Sequence, residues 1–157
     1  MDSKGRISIP APFRRVLDLG DSERGSGVNA SVHVCYGDPT EPFLTCWTQA
    51  GLAEMDERIA AMPDGHTARI ALEEYFFEYC ETLVLDDNGR LILPKSLRDG
   101  KGLEGETVFA GRGGHFRVFN AEAPVASYSA LAAATETLAP GASVLSLLPP
   151  KQPIQPT

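Results

Sequence analysis

Two arginines, Arg6 and Arg90, stand in the same setting, Asp-x-x-Gly-Arg, 84 positions apart. An arginine fork can grip a phosphate, or O6 and N7 of a guanine, with two parallel hydrogen bonds. Each arginine also has a humbler option, an ion pair with Asp2 or Asp86 four residues earlier, which when exposed is worth under ~1 kcal/mol. Lys4, inside the first copy, adds a point charge suited to phosphate, whereas the second copy has Asn88 there. The first copy is therefore the better anion contact. Arg14 and Arg15 extend the cationic character beyond the first copy. Gly5 and Gly89 precede the arginines and are expected to supply a positive-φ turn that aims them.

Nine residues around each arginine repeat. Residues 2–10 read DSKGRISIP and residues 86–94 read DDNGRLILP, so Asp2, Gly5, Arg6 and Pro10 match Asp86, Gly89, Arg90 and Pro94. Each copy is a polar turn, an alternating strand and a proline that opens a helix. Internal repetition of this kind divides a chain into like units, and two like units suggest a pseudo-symmetric surface presenting paired cations.

Two such signatures, followed after the second by VFAGRGGHFRVFNAEA at residues 108–123, resemble the MraZ family. The resemblance covers roughly residues 2–135. It implies two tandem SpoVT/AbrB-like βαββ elements forming a pseudo-two-fold, swapped-hairpin β-barrel with attached helices, an α+β fold. It also implies a regulator of the division and cell-wall gene cluster that assembles into a ring and binds promoter direct repeats. Its partners would then be double-stranded DNA and copies of itself. Such proteins have a strand before each signature. Here residues 81–85 precede the second, but only Met1 precedes the first, so either the natural chain starts upstream of Met1, the favoured expectation, or the first half lacks an edge strand. The competing reading is an AbrB-like antitoxin, or an interaction module without its own operator. The tandem arrangement in one chain favours the regulator.

Charge distribution supports the same face. The chain carries a net −7, which by itself disfavours nucleic acid. Counted by segment, residues 1–17 hold +3, residues 18–85 hold −10, residues 86–117 hold +1 and residues 118–157 hold −1. Positive charge gathers on the two signatures, and a small basic face on an acidic body can still bind nucleic acid there.

Other chemistries find little support. No GxSxG, HExxH, P-loop or GxGxxG occurs, so no catalytic residue, cofactor or small-molecule substrate is expected. Cys35, Cys46 and Cys80 lack CxxC spacing, and His33, His66 and His115 are scattered, so no metal site is expected either. The cysteines read as small buried hydrophobes. No apolar run approaches the ~20 residues of a membrane span. The expected location is cytoplasmic and nucleoid-associated.

The elements that position these residues can be read from periodicity. Strands are expected at residues 5–9, 30–36, 42–48, 81–85, 90–93, 107–110 and 115–119. Helices are expected at residues 11–17, around Leu52, Met55, Ile59 and Met62, at 67–81, at 95–100 and at 121–138. The helix at 67–81 is apolar on more than one side and should pack between layers or under a neighbouring copy. The division expected is 1–66 for the first repeat, 67–135 for the second with its leading helix, and 136–157 for a Pro-rich mobile tail.

Overall fold

The computed structural model describes residues 1–122 and 129–150. It is an α+β protein in two compact units, Met1–Ala123 and Pro124–Thr157. The first contains β1 (Arg6–Ser8), α1 (Ala11–Leu19), β2 (Ser31–Cys35), β3 (Phe43–Trp47), α2 (Gln49–Ala60), α3 (Thr67–Glu73), β4 (Cys80–Val84), β5 (Arg90–Ile92), α4 (Lys95–Gly100), β6 (Thr107–Gly111) and β7 (His115–Asn120). In the second lie α5 (Ser129–Glu136) and a short 3-10 helix at Val144–Leu147. The expected helix at 121–138 and the expected mobile tail fall partly on residues 123–128 and 151–157, which lie outside the described residues.

Among the described residues seven strands form two sheets. Five lie in the order β4-β2-β3-β7-β6, and β1 pairs with β5 in a separate antiparallel ribbon. Among the described residues these strands do not close into one barrel as expected. The two signature strands use their hydrogen bonds on each other, so β4 and β6 remain the open edges of the larger sheet.

The ribbon is built by alternation. Ile7 and Ile9 from β1 and its flank, with Leu91 and Leu93 from the second copy, are all buried. They join Val32, Val34, Leu44, Phe116 and Val118 of the large sheet in the main core. Arg6, Ser8, Arg90 and Ile92 hold the intervening positions and so share the opposite face of the ribbon. Pro10 and Pro94 stand at the starts of α1 and α4, where a fixed φ costs nothing and no N–H is needed. Leu17 and Leu97 then drop from these helices into the same core.

A second, smaller cluster brings Ile59 of α2 together with Cys35 and Phe76, flanked by Trp47, Leu52, Met55, Tyr75 and Cys80. The long helix expected at 67–81 is shorter than its apolar pattern suggests. It runs as α-helix only to Glu73, widens into a π-turn at Glu74–Glu78, and gives way to β4 at Cys80. The reason is tertiary: Phe76 is drawn into the small cluster, while Cys80 onward pairs with β2. Ile70, Phe77 and Tyr79 stay exposed, consistent with a segment that is apolar on more than one side.

Candidate nucleic-acid interface

The two signature turns have the same internal hydrogen bonding. Asp2 Oδ1 accepts from the backbone N–H groups of Lys4 and Arg6 at 3.0 and 2.9 Å, and its Oδ2 accepts from Arg6 Nε at 2.6 Å. Asp86 Oδ1 accepts from the N–H groups of Asn88 and Arg90, each at 2.9 Å, and its Oδ2 accepts from Arg90 Nε at 2.8 Å. The backbone N–H groups of Arg6 and Arg90 are the largest influences holding the two carboxyls below the usual range. Each aspartate thus fastens the turn and orients the arginine by Nε. The Nη groups make no further hydrogen bond among the described residues, and the arginine side chains remain 41% and 36% exposed.

Gly5 and Gly89 sit at φ +80° and +70°, as the turn expectation requires. Each also lies beneath an arginine of the opposite copy. A Cβ on Gly89 would fall 2.5 Å from Arg14 Cδ, and one on Gly5 would fall 2.8 Å from Arg98 Nε. Arg14 and Arg98 are themselves separated by the same 84 positions, so α1 covers the second turn and α4 covers the first. The sequence reading missed Arg98. Carrying the repeat four residues past Pro94 would have found it, at the position matching Arg14. Arg98 Nε donates to Leu93 O at 3.1 Å, whereas the buried Nε of Arg14 has no hydrogen-bond partner among the described residues.

The ribbon register completes the arrangement. Arg6 lies opposite Ile92 and Arg90 opposite Ser8, which makes the two arginines diagonal neighbours. Diagonal neighbours on one face sit about 7–8 Å apart, on the scale of two base steps at ~3.4 Å each. Both line one open cleft of about 580 Å³ with Met1, Asp2, Ser8 and Phe109. Glu106 also lines it, so its field is not uniformly positive. Lys4 and Arg15 are exposed, and Arg14 is half-buried over Gly89. The ribbon therefore brings Arg6, Arg90 and Asp2 to one cleft, Lys4 and Asp86 belong to their own turns outside its lining, and Arg14 packs on the second turn. Among the described residues no group of three or more His, Cys, Asp or Glu could hold a metal ion, and no helix is long and apolar enough to cross a membrane.

No protein-family model matches the chain. It is similar to a protein named transcriptional regulator MraZ from Ruegeria pomeroyi, with 42% identity over 120 residues that cover 76% of this chain and 72% of that protein. A protein of the same name from Cereibacter sphaeroides is 38% identical over 157 aligned residues, covering 94% and 90% of the two chains. Another from Azorhizobium caulinodans is 33% identical over 122 residues, covering 78% of this chain and 73% of its own.

Proposed function

The chain belongs to the MraZ family of transcriptional regulators, and we propose that it reads promoter DNA with the ribbon that presents Arg6 and Arg90. The observation that carries this reading is the diagonal placement of two arginines on the exposed face of a two-stranded antiparallel ribbon. A ribbon of this width is one of the two elements that the B-DNA major groove admits. Arginines held by Nε keep their terminal amino groups for guanine edges or phosphates. Lys4 adds a phosphate contact on the first copy only, so Arg6 carries more of the binding than Arg90.

Each copy of the phrase belongs to one AbrB-like unit, residues 1–66 and 67–135, and the ribbon is where the units exchange strands about a pseudo-two-fold. One subunit offers few cations on an acidic body, so useful affinity comes from several subunits in a ring engaging several direct repeats. Linking contacts in this way makes each successive one intramolecular. The site of action is the nucleoid in the cytoplasm, at the promoter of the division and cell-wall genes, and no cofactor takes part.

The test is a gel-shift with DNA from upstream of the protein's own gene cluster, run over a salt series. A specific shift, lost in competition with the same DNA but not with scrambled DNA, supports the reading. Equal affinity for scrambled and upstream DNA at every salt concentration rejects it.

A further inference from the structure

The small cluster beneath α2 contains two cysteines that the DNA reading does not use. Cys35 ends β2 and Cys80 begins β4, and they face each other in the antiparallel register. The neighbouring pairs fix the geometry of this one. Tyr36 N–H donates to Tyr79 O at 2.9 Å, and at the other end of the ladder Leu85 N–H donates to Ala30 O at 3.0 Å. Both are hydrogen-bonded pairs, so by alternation Cys35 and Cys80 form a non-hydrogen-bonded pair. Such pairs hold their Cα atoms about 4.5 Å apart with side chains on the same face, inside the ~4.4–6.8 Å window a disulfide needs. The two Sγ atoms are 2.7 Å apart, and both thiols are free.

We propose that Cys35 and Cys80 are an oxidation site at which hydrogen peroxide closes a reversible cross-strand disulfide between β2 and β4. Cys80 is half-buried and Cys35 fully buried, so access assigns the first step to Cys80. Its sulfur attacks the peroxide O–O bond, becomes a sulfenic acid and releases one water. Cys35 sulfur then attacks the sulfenic sulfur, forms the S–S bond and releases the second water. Two thiols are oxidised by two electrons and one hydrogen peroxide is reduced to two waters. The hydrogen bond to Cys80, and then burial, push the Cys35 thiol up, which disfavours it as the first attacker. Cys46 is buried in the main core opposite Val34 and takes no part.

The bond would staple the edge strand β4, which leads directly into Asp86, to its neighbour β2. It would also close the 45-residue separation that contains α2 and α3, constraining the unfolded chain.

The full-length reduced protein is treated with hydrogen peroxide at a small molar excess, denatured in alkylating agent, digested without reductant and mapped by mass spectrometry. The expected result is a peptide pair joining Cys35 to Cys80, two thiols lost per chain, Cys46 still alkylated, and full reversal by dithiothreitol. The apparent Tm of the oxidised chain should rise by about 5 °C or more. A Cys80→Ser variant should keep the reduced protein's spectrum and Tm but form no link. The proposal is overturned if all three thiols survive, if oxidation stops at a Cys80 sulfinic acid with Cys35 unchanged, or if the link joins any other pair or two chains.

Discussion

Ile7 and Leu91 lie directly opposite each other in the ribbon, and they are also the same position of the repeated phrase. A pair that is both a contact and an equivalence marks where a local two-fold axis passes. Ile9 N–H donates to Gly89 O at 3.0 Å and Leu93 N–H donates to Gly5 O at 2.9 Å, each bond the image of the other. The arginines fall symmetrically about this axis because their spacing from Ile7 and Leu91 is the same in both copies.

Replacing either arginine should separate binding from folding. Arg6→Ala is expected to weaken specific DNA affinity by about ten-fold or more, the scale of one lost bidentate contact. Arg90→Ala should cost less, because Asn88 offers no charge where the first copy has Lys4. Each removes only an exposed ion pair, so stability should change by under ~1 kcal/mol. Fluorescence anisotropy at one fixed salt concentration, with thermal melts alongside, checks both. Unchanged affinity for a folded Arg6→Ala protein would remove the arginine from the reading.

The signature glycines should be more costly to replace than the arginines. Alanine at φ +80° or +70° adopts a left-handed conformation, a penalty of roughly 1–2 kcal/mol. Crowding adds to it unequally. The new Cβ at position 5 meets Leu93 O, a backbone atom, at 2.7 Å, while at position 89 it meets the movable side chain of Arg14. Gly5→Ala should therefore destabilise more than Gly89→Ala, as measured by urea denaturation. The reverse order would mean that Arg14 is held more rigidly than the ribbon backbone.

Acid should loosen both turns together. The Asp2 and Asp86 carboxyls are held below their ordinary value of 3.8, chiefly by the backbone N–H groups of Arg6 and Arg90. A depressed folded pKa adds stability that is present above the unfolded value. That stability disappears as pH falls from about 4 through the folded pKa values. An Asp2→Asn, Asp86→Asn double variant should lose this part of the acid dependence. Identical slopes of stability against pH below 4 for the variant and the parent would count against it.

Avidity has its own signature. DNA bearing three operator repeats should bind much more tightly than DNA bearing one, at the same salt concentration. A single repeat should show the shallow salt slope of a few phosphate contacts, each worth about −0.9 in log–log slope. Affinities agreeing within a factor of about two would eliminate ring multivalency as the source of strength.

The repeat, its turn chemistry and most element positions were legible in the sequence because each rests on local rules. Gly before Arg dictated the turns, alternation dictated the ribbon's two faces, and Pro10 and Pro94 dictated the starts of α1 and α4. The helix Lys95–Gly100 falls where its residues predict. Non-local pairing could not be read this way. Nothing within a few residues of Ile7 says that its partner is Leu91, that Arg14 covers Gly89, or that Arg98 covers Gly5. The same holds for the end of α3, where an unbroken apolar pattern gave way at Glu74 to satisfy Phe76 in one cluster and Cys80 in a distant strand. Sequence alone determined which residues could grip an anion and how each turn would aim them. Tertiary structure decided that the two arginines share one face, because strand pairing across 84 residues is set by the common core and leaves no mark in either copy.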